Sequence, residues 1–308
     1  MRKKIIYVSL QGRIGNQLFI YAFAKKIHKM LPNHRLIIND SEVLGLNWVN
    51  SLKEYQLEDT EFTQENLLRK LPQLRLHWIL RKIYRTIAAR KSYHDKFEWE
   101  KKWQPLWNKW GMILCENGYL PTTIPQNKDI YIEGFFQSEK YFSDIEQELR
   151  AQLQLKDAEQ LCRYPNIDQI LNRNTVCISI KVEHNVGSEM YDVCSVDYWR
   201  KGIEYICAHV EDPLFFICSD NVDYVLENLI DTSRYDYICQ SKEVSVATSL
   251  AAMNECKHFI IGNTTYGWWA QYLSDYPDKI VIAPSKWMKI DMPIDIYQDN
   301  WTLIGVEE

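Results

Sequence analysis

The sequence predicts an α/β fold with two βα-rich halves and a helical insertion in the first half. Continuous apolar runs rich in β-branched residues open the two halves, at residues 5–10 and 175–180. Such runs are typical of parallel strands that are covered on both faces. Segments of helical periodicity follow these strands, and a Trp-rich segment of the same periodicity lies within the first half. The 308 residues, 46% of them hydrophobic, suffice for about two domains with a substantial core.

Composition excludes several classes of protein. The net charge of −5 gives no global reason to expect nucleic-acid binding. No stretch approaches the roughly 18–20 apolar residues of a membrane span, and the apolar run at residues 5–10 is shorter than a signal-peptide core. The eight cysteines lack zinc or redox spacing. We therefore expect a cytoplasmic protein without structural disulfides.

The first half opens with a strand at residues 5–10 and a turn at residues 11–17. Apolar residues then recur at helical spacing from Leu18 to Ile27, and residues 35–39 form a second predicted strand. The turn lacks the three glycines of a dinucleotide fingerprint, so an NAD enzyme is disfavoured. Its polar residues make it a candidate site, and the alternative is a plain connection.

The insertion, at about residues 65–112, contains a basic segment. Residues 75–110 hold ten Lys/Arg and three Asp/Glu, a net charge of +7, which leaves −12 for the rest of the chain. Spacings of 4, 4 and 3 place Trp99, Trp103, Trp107 and Trp110 on one helix face. We favour a stripe that faces the core. The alternative is peripheral membrane contact through residues 75–110, because Trp suits the headgroup level and Lys/Arg attract anionic lipid.

A linker-like segment at about 156–174 separates the first domain, residues 1–160, from the second, residues 172–308. The second half is predicted to hold strands at 175–180, 213–218 and 258–262, with helices at 196–209 and 245–256. Ser219 and Asp220 end a parallel strand, which is the edge of the sheet that binds ligands. The alternative for Asp220 is an Asx turn or a helix cap.

A polar turn follows the strand at residues 258–262. Its sequence is N-T-T-Y-G at residues 263–267, and we expect the following helix to begin near Ala270. Backbone N–H groups and hydroxyls at such a turn hold phosphate in parallel α/β folds. The alternative is that a threonine only caps the helix. The residues concerned are Asn263, Thr264, Thr265, Tyr266 and Gly267.

Five segments resemble motifs of one family. Residues 12–22 read G-R-I-G-N-Q-L-F-I-Y-A, which resembles the G-G-L-G-N-Q-M/L-F-x-Y-A opening of the bacterial α-1,2-fucosyltransferases of glycosyltransferase family 11. Residues 130–142, 194–199, 250–269 and 279–287 resemble further family segments in the right order. The resemblance covers most of the chain.

The resemblance implies a GT-B-like arrangement of two facing Rossmann-like domains, with the acceptor on the first domain, the nucleotide sugar on the second and the ligands in the cleft between them. It also implies inverting transfer of fucose from GDP-fucose to a galactose-type hydroxyl in α-1,2 linkage, without a cofactor or metal. Asp220 is implied to contact the guanine edge. The acceptor is a glycan or lipid-linked oligosaccharide, and the enzyme would work in the cytoplasm, peripherally at the membrane. The implied donor-binding residues are Gly15, Asn16, Gln17, Lys181, Ser219, Asp220, Asn263, Thr264, Thr265, Tyr266 and Gly267.

One segment departs from the family pattern. Where the family has H-x-R-R-G-D after the strand at 175–180, this chain has K-V-E-H-N-V at 181–186. Glu183 would repel a diphosphate that an arginine would bind, and Lys181 offers only a point charge in its place. Three outcomes follow: Lys181 holds the phosphates, another nucleotide sugar is the donor, or the protein is a silent relative that binds a glycan or partner.

The family's third serine in the 263–269 segment is Gly267 here, so we expect one phosphate-facing hydroxyl to be missing. A base that accepts the acceptor's proton is also needed. Glu183, His184 and Glu189 are the nearby candidates, and the alternative for each is a surface residue.

Overall fold

The computed structural model describes residues 2–306 and contains two compact units. The first unit runs to Leu153 and includes Asp291–Ile296, and the second comprises Gln154–Ile290 and the chain from Tyr297 onward. The domain range of 172–308 therefore needs correction at residues 291–296. Asp295 joins the first unit because its carboxylate accepts hydrogen bonds from Ser138 Oγ at 3.2 Å and Lys140 Nζ at 2.8 Å.

The first unit is built on a five-stranded parallel sheet in the order β3-β2-β1-β5-β4. Val8 in the central strand pairs with Ile38 on one side and Ile132 on the other. All five residues of this strand are buried, which explains its uninterrupted apolar sequence. The strands are β1 (Ile5–Ser9), β2 (Arg35–Asn39), β3 (Thr60–Thr63), β4 (Met112–Cys115) and β5 (Ile130–Gly134).

Six α-helices belong to the first unit. They are α1 (Ile14–Met30), α2 (Ser41–Gly45), α3 (Leu67–Lys70), α4 (Arg75–Ala88), α5 (Tyr93–Lys109) and α6 (Glu146–Gln152), with short 3-10 helices at Ser51–Glu54, Pro72–Leu74, Glu139–Tyr141 and Ser143–Ile145. The first helix begins inside the segment predicted to be a turn. Gly12 makes this possible, because its φ is +71° and a Cβ there would lie 2.5 Å from Asn16 Nδ2.

The tryptophans of α5 face mainly inward. Trp107 is buried, and Trp99 and Trp110 pack against the apolar cluster formed by α4 and the sheet. Trp103 is 41% exposed. The favoured interpretation of a core-facing stripe is therefore correct for three of the four side chains.

The second unit is built on a six-stranded parallel sheet in the order β11-β10-β9-β6-β7-β8. This is the doubly wound order, in which the winding direction changes between β6 and β9. The strands are β6 (Asn174–Ile180), β7 (Pro213–Ser219), β8 (Tyr237–Cys239), β9 (His258–Ile261), β10 (Val281–Pro284) and β11 (Thr302–Ile304).

The helices of the second unit are α7 (Glu159–Cys162), α8 (Ile167–Asn172), α9 (Val196–His209), α10 (Val222–Asn228), α11 (Val246–Asn254) and α12 (Thr265–Leu273). The segment at about 156–174 thus contains α7, α8 and the start of β6. Serine side chains cap α9 and α11, since Ser195 Oγ accepts a bond from Tyr198 N and Ser245 Oγ from Thr248 N. Trp199 of α9 is buried, and its ring lies against Gly262 at the end of β9.

All eight cysteines are free thiols. Within residues 2–306, no helix is both long and apolar enough to cross a bilayer.

A buried carboxylic acid, Glu100, lies in α5. It accepts a hydrogen bond from the Tyr84 hydroxyl at 2.6 Å. Burial raises the pKa of Glu100 to about 7, although the Tyr84 bond and the charge of Lys96 act in the opposite direction. The folded protein therefore keeps a proton that the unfolded chain releases at lower pH.

This difference predicts that Glu100 destabilises the folded state as pH rises. Between the ordinary carboxyl pKa of 4.5 and about 7 the unfolded chain binds fewer protons, so the free energy of unfolding falls through this range. Glu100→Gln keeps the acceptor for Tyr84 and removes the titration. We expect the variant to be more stable than the wild type at pH 8, by up to roughly 3 kcal/mol, in urea unfolding. Glu98→Gln, an exposed site on the same helix, is the control, and equal pH dependence in all three proteins would refute the assignment.

Candidate functional site

The carboxyl edge of the second sheet holds the candidate site. Chain segments leave β6 and β9 in the same place, where the winding direction of the sheet changes, and this is where α/β sheets bind ligands. A cavity at this edge is lined by residues from both segments, including Lys181, Asn185, Tyr191 and Asn263. Sequence-predicted donor residues from separate motifs therefore meet here.

Asn263 connects the segments around this cavity. Its Nδ2 donates to the carbonyl oxygens of Tyr191 and Trp287, each at 3.0 Å. Its Oδ1 accepts from Asn185 Nδ2 at 3.4 Å and faces Cys194 Sγ at 3.8 Å. Burial raises the pKa of the Cys194 thiol to about 12, which keeps it neutral. The amide is occupied by protein groups, so Asn263 contributes by positioning the loop.

The predicted phosphate turn is largely the first turn of α12. This helix begins at Thr265 and not near Ala270, because Thr264 caps it: its Oγ1 accepts from Gly267 N at 3.0 Å. The capping alternative is thus correct for Thr264. The positive end of the helix dipole lies at this edge, which favours an anion. Thr265 is half-buried, and the Tyr266 hydroxyl donates to Val246 O at 2.9 Å.

Gly267 faces β6. A Cβ at this position would lie 2.8 Å from Ser179 Oγ and 3.2 Å from Ile261 Cβ. A serine side chain here would point into the packing between helix and sheet. The glycine thus allows close packing of the helix on the sheet, and the expectation that a phosphate-facing hydroxyl is missing stays a prediction.

Lys181 and Asp220 form an ion pair at the cavity edge. Asp220 Oδ2 pairs with Lys181 Nζ, and its Oδ1 accepts from Val182 N at 2.8 Å. Glu183 adds a second carboxylate 4.0 Å from Lys181 Nζ. The cation that the sequence assigns to the diphosphate is thus held by two acidic groups.

Asp220 does not cap the helix that follows it. That cap is Asn221, whose Oδ1 accepts from Tyr224 N at 3.1 Å, while Ser219 Oγ accepts from Asn221 N at 3.1 Å. The structure therefore corrects the capping alternative and leaves the Asp220 carboxylate at the cavity edge.

The three candidate bases lie on the loop between β6 and α9. Glu183, His184 and Glu189 are all exposed, and His184 has a φ of +66°. A left-handed backbone at a non-glycine residue is uncommon and costly. Contacts around the loop therefore have to hold His184 in this backbone conformation.

In the first unit, Gln17 and Asn16 lie at the start of α1. The Gln17 amide is used fully inside the unit: its Nε2 donates to Gly12 O and Val49 O, and its Oε1 accepts from Ser51 N. Asn16 Oδ1 accepts from Gln137 Nε2 at 2.9 Å, which joins the segments after β1 and β5. Gly15 is buried in the same turn. This set holds the carboxyl edge of the first sheet together.

Sequence reasoning missed a charged cluster at the same edge of the first sheet. Buried Glu133, at the end of β5, accepts from Arg81 Nε at 2.9 Å, from Arg85 and from Tyr131. Arg85 Nη2 also donates to Glu42 at 3.0 Å. In the sequence, this cluster could have been suspected from Glu133, because it is a charged residue inside an otherwise apolar strand. Within residues 2–306, no group of three or more His, Cys, Asp or Glu is arranged to hold a metal ion.

Comparison with known proteins identifies the family. A model described as Glycosyl transferase family 11 matches residues 5–305. The O-antigen biosynthesis glycosyltransferase WbnK of Escherichia coli is 23% identical over 96% of this chain and 99% of its own length.

Two further relatives match over about half of their own length. An α-1,2-colitosyltransferase of Escherichia coli is 26% identical over 51% of this chain and 55% of its own. Galactoside α-(1,2)-fucosyltransferase 1 of Alouatta belzebul is 23% identical over 57% of this chain and 52% of its own.

Solved structures share the fold. The α-1,6-fucosyltransferase NodZ, co-crystallised with GDP, superposes with a TM-score of 0.56 at 10% identity, over 92% of this chain and 96% of its own. NodZ from Bradyrhizobium gives 0.54 at 10% identity, over 88% and 93%. The two parallel-sheet units thus have the GT-B fold, and the chain belongs to glycosyltransferase family 11.

Proposed function

We propose that the protein transfers fucose from GDP-fucose to a galactose-type hydroxyl of a glycan, with inversion and in α-1,2 linkage. The observation that carries this proposal is the meeting of Lys181, which pairs with Asp220, and Asn263, which leads into α12, at the switch point of a doubly wound sheet. Two relatives named for α-1,2 transfer and a fold relative crystallised with GDP support the linkage and the nucleotide.

The reaction needs an anion site for the departing diphosphate. The acceptor oxygen bonds to the anomeric carbon as the bond to GDP breaks, and the hydroxyl proton passes to a base. Charge that develops on the leaving oxygen is stabilised best by donors that are already in place. We assign this task to the positive end of the α12 dipole and to Lys181, and the proposed reaction uses no metal.

Donor binding has to compete with the ion pair. A diphosphate near Lys181 must share or displace Asp220, and it approaches Glu183 as a like charge. If Asp220 turns to the N1–H and 2-amino donors of guanine, Lys181 is released to the phosphates in the same movement. Lys181 and Asp220 would then pair with each other only while the site is empty. The bound nucleotide would replace this pair with two contacts, one between Asp220 and guanine and one between Lys181 and the phosphates.

A second donor is the alternative. The Glu183-His184 sequence replaces the family's arginine pair, and one relative is named for colitosyl transfer. Another nucleotide sugar would also present phosphate groups to Lys181 and the start of α12.

We propose a glycan or lipid-linked oligosaccharide as acceptor and a cytoplasmic location. Support comes from the O-antigen name of one relative and from the eight free thiols.

Nucleotide titration tests the donor. We expect calorimetry to detect GDP and GDP-fucose, and Lys181→Ala to weaken both by about 10- to 100-fold, since a charge-assisted bond contributes roughly 1.5–3 kcal/mol. Lys201→Ala, an exposed lysine of α9, is the control. Binding of GDP-mannose, a UDP-sugar or CMP-sialate in place of GDP-fucose would establish the second donor, and binding of none would identify a silent relative.

Asp220→Asn tests guanine recognition. Asparagine keeps an acceptor for Val182 N and loses the carboxylate that both guanine donors require, so we expect GDP affinity to fall at least about tenfold. Affinity for inorganic pyrophosphate should not fall, because Lys181 is released. Asp223→Asn, an exposed acid nearby, is the control. Unchanged or tighter GDP binding would show that Asp220 only positions Lys181.

The variant Glu183→Gln distinguishes two possible roles of Glu183, which are repulsion of the diphosphate and action as the catalytic base. Removal of a partly screened charge beside Lys181 should tighten GDP binding by roughly two- to fivefold, with kcat retained. Glu189→Gln and His184→Asn are companion variants on the same loop. A kcat loss of about 10²–10⁴-fold with intact GDP binding would instead identify the altered residue as the base.

A further inference from the structure

Helix α4 carries a row of exposed aliphatic side chains, here called the α4 ridge. Its members are Leu76 and Ile79, each 49% exposed, Ile83 at 45% and Ile87 at 37%. Spacings of 3, 4 and 4 align them on one face, over about 17 Å of helix.

The adjoining face of α4 already packs against the core. Leu80, Tyr84 and Ala88 are buried members of the apolar cluster of the first unit. A surface helix ordinarily turns polar residues outward. The ridge thus extends the apolar surface of α4 beyond the residues that the core buries, and exposed apolar surface of this kind is typical of an interaction site.

Cations lie beside the α4 ridge. Arg75 and Lys82 are one turn from Ile79, both are exposed, and α4 contains no Asp or Glu. The other arginines of the helix, Arg81 and Arg85, are occupied by Glu133. Lys82 Nζ lies 3.9 Å from the centre of the Trp78 ring, which itself packs against the core cluster.

We infer that the α4 ridge docks into the interfacial region of an anionic lipid bilayer, with the helix lying in the membrane plane. An apolar face bordered by Lys and Arg has the composition of interfacial helices. The charge distribution selects an orientation, because residues 75–110 carry +7 while the rest of the chain carries −12. An anionic surface thus attracts this segment and repels the remainder.

A protein partner fits this surface less well. Stable interfaces bury about 800 Å² on each partner and depend on Trp, Tyr and Arg anchors. The α4 ridge is one row of aliphatic side chains, and the aromatics of α5 are mostly turned inward. We therefore treat dimerisation through the α4 ridge as an alternative outcome of the test.

Within the expected contact region of residues 75–110, this inference selects α4 over the tryptophans of α5. This inference is independent of the donor sugar, because docking needs no catalysis.

Vesicle flotation of the full chain tests the inference. We expect binding to phosphatidylcholine vesicles containing one third phosphatidylglycerol, little binding to phosphatidylcholine alone, and release at high salt. Ile79→Gln/Ile83→Gln should reduce the partition coefficient at least about tenfold, which corresponds to about 1.4 kcal/mol. Leu171→Gln, a 48% exposed leucine on α8, should bind like the wild type.

Charge is tested separately. Arg75→Gln/Lys82→Gln should weaken binding to the anionic vesicles, whereas Lys201→Gln/Lys242→Gln, which removes the same charge elsewhere, should not. Circular dichroism and GDP binding report whether each variant is folded. Absence of wild-type binding at low salt, or equal binding by the Ile79/Ile83 variant, would overturn the inference. A dimer that dissociates in that variant would assign the α4 ridge to a second copy.

Discussion

Parallel pairing around β6 is the constraint on which the second unit depends. This strand pairs with β7 over seven residues and with β9 over four, and it is buried on both faces. Because strands of this kind hold only apolar or small side chains, polar chemistry is confined to their carboxyl ends. Lys181, its partner Asp220, and Asn263 before α12 are therefore brought to one edge by the sheet itself.

The site is assembled by contacts that leave its charges balanced. Asn263 holds the loop through its amide, Thr264 caps α12 and Gly267 lets the helix approach Ser179. Against this rigid frame, Lys181 is neutralised by Asp220. A buried or half-buried cation without a partner is costly, so a donor site that is stable without its ligand needs such a counter-charge. Nucleotide selectivity then depends on what the donor offers to each partner of the pair.

The first unit also gathers polar side chains at the carboxyl edge of its sheet, but the groups involved are different. Asn16 and Gln137 join the segments that follow β1 and β5, and Glu133 gathers two arginines at the same edge. The arginines come from α4, whose outer face is the exposed ridge. One insertion helix thus contributes to the charged cluster, to the core and to the surface.

Sequence patterns predicted much of this protein for local reasons. Apolar runs marked β1, β6, β7 and β9, the helix predicted at 196–209 matches α9, and five ordered segments indicated the family. These features depend on neighbouring residues, so they can be recognised without tertiary information. The start of α12 was misjudged because a Thr cap and a polar turn look alike until the helix hydrogen bonds are known.

Only the tertiary structure decided which groups Asp220 contacts and how closely Gly267 approaches Ser179. It also decided that residues 291–296 belong to the first unit and that one face of α4 is exposed. Each depends on residues that are distant in the chain. The periodicity of α4 shows that it has an apolar face, but its sequence cannot distinguish the side that packs on the core from the side that remains in water. The sequence determined which chemical groups exist and in which elements, and the fold determined which of them meet, because contact depends on packing between elements.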